Sequence, residues 1–401
     1  MDIRDINKVV IVGAGQAGGM FALNLRQEGF QGEVLVIGEE KHLPYERPQL
    51  SKEVLLKAED DVKLIRQLED YKNLNIELML DKKVIDVKTE VNELVINDST
   101  SIKYDVLVVA TGVKARELPE YQNEKCVSVR FIEDSLKIKS KLKANNQVLI
   151  VGGGVIGLEV ANAAIQKGCE VIVVEIGNQL MGRSLDEDVS QIVKKFHENN
   201  GIKIQLNTSI QEMNNKEVKL SNGQVLTPDL IVLGVGVQAN NDFFKKSIIY
   251  TESGVEVNQQ SQTKIQNIFA IGDIALQNPR GDGWVRIETW QNAQNQALNL
   301  AKFLTKSEVI NQEPCWFWSD QGALNIQVIG DVKSSKKILR KIDDFKMTYL
   351  YANEIGELIG CVTINNPKEM SVAKKIVGKN KVIDSSKVLD VTSNLKNCFI
   401  G

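Results

Sequence analysis

Two glycine-rich segments lie 139 residues apart in this chain of 401 residues, and they constrain its fold more than any other feature. The first, Gly13–Gly18 (GAGQAG), directly follows the apolar run Val9–Val12, and the second, Gly152–Gly157 (GGGVIG), directly follows Val148–Val151. Glycines at this spacing permit a tight turn, a close approach of the backbone to a phosphate and close packing of a helix on the strand. The sequence therefore predicts two strand–turn–helix units, each with a helix N-terminus that attracts phosphate groups.

An acidic residue follows the next predicted strand of each unit. Glu39 lies 21 residues after Gly18, and Glu175 lies 18 residues after Gly157. A carboxylate at this place accepts hydrogen bonds from the ribose of an adenosine, so each unit is predicted to bind a dinucleotide. No arginine comes directly after Glu175, which favours NADH over NADPH in the second unit. Arg183 is the nearby cation there, and the sequence leaves open whether it contacts the adenosine or has a surface role.

Asp273 distinguishes the two units, because it ends the late apolar segment Ile268–Asp273. We expect this segment to return to the first unit and to bring a carboxylate to a sugar alcohol, the ribityl chain of FAD. NAD has no ribityl chain, so the first unit is predicted to bind FAD and the second unit NAD. This layout indicates an enzyme that passes electrons between a nicotinamide and a flavin.

The pattern of strands and helices predicts an α/β protein with three domains. The C-terminal part is predicted to be a small α+β domain because three of its segments have the length and apolar pattern of strands and one has that of a helix. The predicted domains are a split FAD-binding domain (residues 1–112 and 231–310), an inserted NAD-binding domain (113–230) and the C-terminal domain (311–401).

Composition excludes several other classes of function. The net charge of −3 argues against nucleic-acid binding, and no apolar run approaches the ~20 residues that span a bilayer. The first strand begins within about eight residues of the start of the chain, which leaves no room for a secretory signal, so we expect a cytoplasmic protein. The charge is uneven, because residues 332–401 carry 13 Lys and Arg against 7 Asp and Glu. This basic segment either docks an acidic protein partner or is a solvated helix face, and the sequence leaves both open.

The five cysteines form no C-x-x-C pair and show no zinc or iron–sulfur spacing, so no metal site is predicted. A flavoenzyme of the disulfide reductase type needs a redox dithiol beside its flavin. Nothing supplies one in the usual place just after Glu39, which argues against that chemistry.

Four further motifs extend the pattern over nearly the whole chain: Pro44–Lys52 (PYERPQLSK), Ala110–Gly112 (ATG), Val285–Trp290 (VRIETW) and Trp316–Gln321 (WFWSDQ). With these motifs the chain resembles the FAD-dependent ferredoxin–NAD(+) reductase components of bacterial ring-hydroxylating dioxygenases, of the biphenyl and toluene dioxygenase reductase type. They belong to the pyridine nucleotide-disulfide oxidoreductase superfamily, with two Rossmann-like dinucleotide-binding domains arranged as in glutathione reductase. The resemblance implies that NADH passes a hydride to N5 of FAD and that single electrons then reach a [2Fe–2S] ferredoxin. That ferredoxin would feed an aromatic-ring dioxygenase or a similar oxygenase.

The same resemblance assigns site residues by matching position. In that family Lys52 lies near N5 of the flavin and Glu159 pairs with it near the nicotinamide, so these two are the expected catalytic residues. Trp290 opens a helix whose dipole would stabilise negative charge on the reduced flavin, whereas Trp316 and Trp318 either close the flavin's outer edge or belong to the core. The expected FAD contacts are Gly13, Gly15, Gln16, Ala17, Gly18, Glu39, Arg47, Lys52, Val84, Ala110, Thr111, Gly112, Arg130, Gly272, Asp273, Glu288, Thr289 and Trp290. The expected NAD contacts are Gly152, Gly154, Val155, Ile156, Gly157, Glu159, Glu175, Arg183 and Gly236.

Three alternatives stay open at this stage. A rubredoxin reductase would suit the same residues, and an NADH-sensing flavoprotein like apoptosis-inducing factor would share the fold. The third alternative is a plain Rossmann scaffold without flavin. An oxidase of the cysteine type is disfavoured because residues 40–50 contain no thiol. The sequence does not distinguish a monomer from a homodimer.

We predict that the enzyme uses NADH in preference to NADPH, because the Glu175 carboxylate repels a 2′-phosphate and no arginine follows it directly. The ratio kcat/KM should be at least about tenfold higher for NADH, which corresponds to about 1.4 kcal/mol of discrimination. Steady-state rates with the two nucleotides measure this ratio, and a kcat/KM that favours NADPH would contradict the assignment.

Overall fold

A computed structural model describes residues 6–116, 118, 123–279, 281, 283–306, 314–334 and 336–400. The chain divides into two compact units, each assembled from three separate segments. Unit 1 comprises Met1–Arg47, Val62–Lys114 and Val237–Gln312, and unit 2 comprises Pro48–Asp61, Ala115–Gly236 and Glu313–Gly401. The predicted boundary between residues 310 and 311 lies outside the described residues.

Unit 1 is built on a five-stranded parallel sheet. Its central strand, Lys8–Val12, is apolar at every position from Val9 onward because helices and smaller sheets cover both of its faces. The helices Gln16–Gln27 and Trp290–Lys306 pack against each other on one side. In spatial order the sheet contains Ile268–Ala270, Val106–Val109, Lys8–Val12, Glu33–Ile37 and Ile76–Met79. The other elements of unit 1 are the strands Val84–Lys88, Glu93–Ile96, Ser101–Lys103, Val237–Ala239, Val255–Glu256, Ala275–Gln277 and Val285–Arg286, the helix Leu68–Asn73 and the 3-10 turns Asp242–Phe244 and Gly272–Ile274.

Unit 2 contains a second parallel sheet of the same kind. Its central strand Gln147–Val151 pairs with Glu170–Val174 on one side and with Leu230–Leu233 on the other. In spatial order the sheet contains Lys203–Gln205, Glu170–Val174, Gln147–Val151, Leu230–Leu233 and Cys126–Val127. Around it lie the helices Ile132–Lys141, Val155–Gln166 and Glu187–Asn199 and the strands Ile210–Met213, Val218–Leu220 and Val225–Leu226. The short strand Val113–Ala115 begins in unit 1 and ends at Ala115, the first residue of the unit 2 segment Ala115–Gly236.

The strand Leu230–Leu233 corrects one predicted domain boundary. The sequence places residue 231 at the return to the first domain, but Val148 pairs with Leu230 and Val151 with Leu233 in the second sheet. Unit 1 resumes at Val237. The apolar pattern of this strand is the same in either sheet, so only its pairing shows where it belongs.

The segment Pro48–Asp61 corrects a second part of the predicted division. The sequence assigns it to the first domain, whereas its contacts place it in unit 2. Side chains of unit 2 hold its backbone: Ser135 Oγ donates to the carbonyl of Leu50 at 2.9 Å, and Lys167 Nζ donates to that of Leu56 at 2.8 Å. The segment contains residues 48–51 of the 3-10 turn Arg47–Ser51 and the whole helix Glu53–Leu56. Lys52 is therefore a residue of unit 2.

The C-terminal part of unit 2 is a five-stranded antiparallel sheet with one helix against it, which agrees with the predicted small α+β domain and adds two strands to the three expected. Its core joins that of the second parallel sheet. In spatial order the sheet contains Trp316–Gln321, Leu324–Gly330, Leu358–Ile364, Lys346–Ala352 and Lys337–Asp343, and the helix is Pro367–Ile376. Two short strands, Val382–Ile383 and Phe399–Ile400, and the 3-10 turn Leu395–Asn397 follow. The predicted fold class, two Rossmann-like α/β domains and a small α+β domain, is confirmed.

No helix among the described residues is both long enough and apolar enough to cross a membrane.

Arg340 ties the last segment of the chain to the C-terminal sheet. Its side chain is 1% exposed, and its guanidinium pairs with Glu369 at 2.9 Å. The same guanidinium donates to the carbonyls of Val388, Asp390 and Ser393. One buried cation therefore pairs with one oxygen of a carboxylate and with three carbonyls of the segment 388–393.

We predict that Arg340→Met lowers the free energy of unfolding by about 3–5 kcal/mol, because it leaves the Glu369 carboxylate buried without its cation. Urea-induced unfolding measures this loss. The double variant Arg340→Met/Glu369→Leu should recover part of the loss, since no unpaired charge remains. The neighbouring exposed Lys341→Ala is the matched control, and equal effects of Arg340→Met and Lys341→Ala would contradict the prediction.

Candidate active site

The first cradle, Gly13–Gly18, brings its helix into direct contact with the strand before it. A Cβ on Gly18 would lie 1.9 Å from the carbonyl oxygen of Gly13, and a Cβ on Gly13 would lie 2.3 Å from that of Ala110. Gly13 also has φ +114°, a region that favours glycine. At Gly15, in contrast, a Cβ would meet only Arg47 Nη2, at 3.9 Å. The turn is therefore closed toward the sheet and open on the side where a phosphate would lie.

Polar groups around the first cradle fit the phosphates of a dinucleotide. Gln16 Oε1 and Thr111 Oγ1 are buried, and neither has a hydrogen-bond partner among the described residues. Arg47 supplies the cation and is held by Glu40 at 2.6 Å. Burial lowers the pKa of Arg47, but Tyr45, Glu40 and Asp273 raise it by more, so the guanidinium stays charged. A helix N-terminus, a hydroxyl that can donate and a fixed cation suit a bound pyrophosphate, whose oxygens accept hydrogen bonds, whereas the Gln16 oxygen is an acceptor and suits a donor group elsewhere on the nucleotide.

Most of the other predicted FAD contacts belong to unit 1. Glu39 follows the strand Glu33–Ile37 and pairs with Lys83 at 2.7 Å. Gly272 packs on Ala17, where a Cβ would come within 2.9 Å, and its amide donates to Gln296 at 2.8 Å. The remaining contacts in unit 1 are Val84, Ala110, Gly112, Asp273, Glu288, Thr289 and Trp290. Lys52 and Arg130 lie in unit 2, so unit 1 does not contain the whole predicted set.

The second cradle, Gly152–Gly157, repeats the geometry of the first. A Cβ on Gly157 would lie 2.3 Å from the carbonyl oxygen of Gly152, and a Cβ on Gly152 would lie 2.4 Å from that of Gly234. Gly154, which corresponds to Gly15, has nothing within 4 Å of its Cβ position. Two turns with the same closed and open sides thus exist in one chain.

Two charged residues that the sequence predicts to contact NAD lie near the second cradle. The carboxylate of Glu175 accepts hydrogen bonds from the amides of Gly153 and Gly177, both at 2.7 Å, which fix its position beside the turn. The guanidinium of Arg183 lies over Gly236, where a Cβ would be 3.7 Å from Nη2. Val155 and Ile156 begin the helix that leaves the cradle.

Glu159 lies on that same helix, within two turns of the cradle, and forms a buried ion pair with Lys52. The Glu159 side chain is 4% exposed and that of Lys52 is 11% exposed, with Lys52 Nζ 3.3 Å from Glu159 Oε1. Ser51 Oγ donates to Oε2 at 2.5 Å, and Ser319 Oγ donates to Oε1 at 2.7 Å. Burial raises the pKa of the Glu159 carboxyl, while Lys52 and the two hydroxyls act in the opposite direction. The structure thus brings the two expected catalytic residues together from separate segments.

Aromatic rings extend this site toward the helix Pro367–Ile376. Trp316 and Trp318 are stacked, with centroids 5.1 Å apart and planes at 19°. Lys374 Nζ lies 3.0 Å from the centroid of Trp316, and Lys52 Nζ lies 5.7 Å from that of Trp318. Cations over aromatic faces are attracted by the negative charge of the ring face.

Sequence reasoning missed the polar residues behind Glu159. Gln321 Nε2 donates to Ser319 at 3.0 Å, and Gln321 Oε1 contacts Nε2 of His197 at 2.6 Å. Ser319, Gln321 and His197 are all fully buried. The WFWSDQ motif has three consecutive polar residues and no alternation that would mark Ser319 and Gln321 as buried, and His197 lies in a helix pattern that carries no such signal either.

The two cradles share one geometry. The first suits a pyrophosphate, and the second lies beside a carboxylate that suits a ribose without a phosphate. Together they are typical of a dinucleotide-dependent oxidoreductase. The chain belongs to the pyridine nucleotide-disulphide oxidoreductase family, whose model matches residues 7–297. A second family model, for the reductase C-terminal domain, matches residues 316–399.

Similar proteins cover the whole chain. It is 42% identical to the ferredoxin–NAD(+) reductase component of the p-cumate 2,3-dioxygenase system of Pseudomonas putida, over 99% of this chain and 100% of that one. Its structure resembles that of putidaredoxin reductase in a covalent complex with putidaredoxin, with a TM-score of 0.93, 28% identity and 98% coverage of both chains. It also resembles the ferredoxin reductase for the CYP199A2 system of Rhodopseudomonas palustris, with a TM-score of 0.92, 31% identity and coverage of 98% and 99%. The resemblance drawn from the sequence motifs is confirmed, and so is the use of FAD and NAD(H), which is general in this family.

We predict that His197 makes the stability of the protein depend on pH. Burial lowers the pKa of His197 below its usual value of 6.5, so below that pH the unfolded chain binds a proton that the folded chain does not. The His197 contribution is therefore lost as the pH falls, by at most about 1.4 kcal/mol between pH 7.5 and 5.5, the limit reached when the folded imidazole stays neutral over that range.

The variant His197→Gln keeps a donor for Gln321 and should show a pH dependence that is weaker by this amount in urea unfolding at the two pH values. The chain has only one other histidine, and His42→Gln is the matched control. An unchanged pH dependence in His197→Gln would show that this imidazole does not titrate as described.

Proposed function

We propose that this chain is an NADH-dependent flavoprotein that passes single electrons to a [2Fe–2S] ferredoxin, which serves an aromatic-ring dioxygenase or a similar oxygenase. The observation that carries the proposal is the position of the Lys52–Glu159 pair. Glu159 lies on the helix that starts at the second cradle. A nucleotide bound at that cradle would therefore lie near the buried ion pair that Glu159 forms with Lys52. The similarity to a ferredoxin–NAD(+) reductase component over the whole chain supports this assignment.

Each part of the chain has a role in this proposal. The first cradle, with Arg47 and Asp273, holds FAD, which when bound accepts two electrons from NADH and releases them one at a time. The second cradle, with Glu175 and Arg183, holds NADH by its adenosine half. The FAD-binding domain is thus formed by residues 1–112 and 231–310, without the segment Pro48–Asp61 and the strand Leu230–Leu233, which belong to unit 2. The inserted segment is the NAD-binding domain. The other residues that the sequence predicts to contact FAD or NAD contribute to the same two binding sites.

Lys52 and Glu159 orient the nicotinamide end. An ionised carboxylate has about four acceptor positions, and Lys52, Ser51 and Ser319 occupy three of those of Glu159. One position therefore remains for the amide N–H of a nicotinamide. The burial of the pair excludes water and strengthens its electrostatic effect on a bound ring.

The cysteines support one-electron release rather than dithiol chemistry. No disulfide joins any of the five in the described residues, and Cys169, Cys361 and Cys398 are buried. Burial raises the pKa of each of these three thiols, which disfavours the reactive thiolate. The proposal includes a cytoplasmic location, and it holds equally for a monomer and a homodimer.

Rapid mixing of the purified yellow protein with NADH tests the proposal. We expect flavin absorbance to fall within the mixing experiment, and added [2Fe–2S] ferredoxin to support the reduction of cytochrome c. Rubredoxin replacing ferredoxin as the efficient acceptor would indicate a rubredoxin reductase. Slow flavin reduction with a long-lived charge-transfer band would indicate an NADH sensor, and a colourless protein that binds no FAD would remove the proposal.

We predict that electron transfer to ferredoxin slows as ionic strength rises, because the basic segment 332–401 would attract an acidic partner and salt screens that attraction. The second-order rate constant should fall by about tenfold or more between low and physiological salt. Reduction of an uncharged quinone is the control and should change little. A ferredoxin rate that does not depend on salt would remove electrostatic attraction from the account.

A further inference from the structure

The Trp316–Gln321 strand, the first of the C-terminal domain, presents different chemistry on its two faces. Successive residues of a strand point to opposite sides. Ser319 and Gln321 are fully buried on one side, whereas Asp320 on the other side is 46% exposed. Ser319 contacts Glu159, and Asp320 contacts Lys52. One strand therefore supplies a neighbour to each member of the ion pair.

The charge of Glu159 determines the direction of the hydrogen bonds on the buried side. A carboxylate only accepts, so Ser319 donates its hydrogen to Glu159, and its oxygen accepts from Gln321 Nε2. This turns Gln321 Oε1 toward His197, whose Nε2 must then carry the ring hydrogen. Every donor in the series points toward Glu159, so each bond polarises the next and stabilises the carboxylate.

The exposed side of the strand restrains Lys52. Its Nζ lies 3.7 Å from Asp320 Oδ2, in addition to the 3.3 Å contact with Glu159. The other oxygen of Asp320 accepts from Asn325 Nδ2 at 2.6 Å, which fixes the carboxylate. A lysine side chain has several rotatable bonds, so two carboxylates and the ring of Trp318 define its position far better than one partner would.

The turn after the strand holds it against the helix that carries Glu159. A Cβ on Gly322 would lie 2.6 Å from Oδ1 of Asn162, which is three residues after Glu159 and on the same side of that helix. Ser319 and Gly322 thus meet the helix at two successive positions. This close fit fixes which strand residue faces Glu159.

We propose that the C-terminal domain completes the nicotinamide-binding site through two positioning residues, with Ser319 orienting the Glu159 carboxylate and Asp320 restraining the Lys52 ammonium. The inference rests on the function proposed above, in which Lys52 and Glu159 orient the nicotinamide. It gives this domain a part in the reaction with NADH, separate from any contact with ferredoxin.

Ser319→Ala tests the first role. We expect the limiting rate of flavin reduction by NADH to fall about tenfold or more, because a hydrogen bond to a charged group is lost. The apparent Kd for NADH should change much less, since orientation rather than binding is disturbed. Ser319→Thr retains the hydroxyl and should restore most of the rate. The control is Ser371→Ala, which removes an exposed hydroxyl that bonds within its own helix in the same domain.

Asp320→Asn tests the second role and, at a half-exposed position, leaves the fold least disturbed. It should also slow flavin reduction, with Asp344→Asn, an exposed aspartate of the same domain, as the control. The double variant Ser319→Ala/Asp320→Asn should lose less than the product of the two single effects, because both residues act on one ion pair.

The outcomes separate the two proposals. A wild-type protein that NADH does not reduce overturns the proposed function. A wild-type protein that is reduced, with both variants equal to their controls, overturns only the positioning roles. A Ser319→Ala protein that loses bound flavin, or that loses NADH affinity as much as rate, overturns the role of Ser319, because the effect of the substitution is then a general one on structure.

Discussion

The structure depends on contacts that leave no room for a side chain. At both cradles a helix crosses its own strand so closely that a Cβ on Gly18 or Gly157 would overlap a carbonyl oxygen. This approach aims the first amides of each helix at the place where a phosphate would bind. The other groups of each site are positioned from there: Arg47 over Gly15 in one unit, and Glu159 on the emerging helix in the other.

The buried Lys52–Glu159 pair shows how residues distant in sequence form one site. Removing two charges from water is costly, and their attraction offsets that cost only when further hydrogen bonds satisfy the remaining positions. Here a hydroxyl comes from the residue before Lys52 and another from the C-terminal domain, 160 residues after Glu159. The pair therefore depends on three segments of the chain, all of which belong to unit 2.

Local pattern in the sequence was enough to predict the two cradles, the strands that precede them and a small C-terminal α+β domain, but not the antiparallel pairing of its strands. Apolar runs such as Val148–Val151 and the glycine spacings are short-range signals, and the structure agrees with them. Membership of the strand Leu230–Leu233 and of the segment Pro48–Asp61 was not predictable in the same way. Both depend on pairing with distant residues, which leaves no local trace. The expectation that Lys52 and Glu159 act in catalysis came from family resemblance, and His197 was missed because a buried histidine on an amphipathic helix looks like any other half-polar position.

The two-faced strand Trp316–Gln321 also limits how the chain can change in evolution. Insertion or deletion of one residue within it would turn Trp318 toward Glu159 and Ser319 toward Lys52, since side chains alternate. The Gly322 turn, seated on Asn162, prevents the strand from sliding to compensate. Length variation among descendants of this chain should therefore fall outside this strand and its turn, while the spacing from 316 to 322 stays constant.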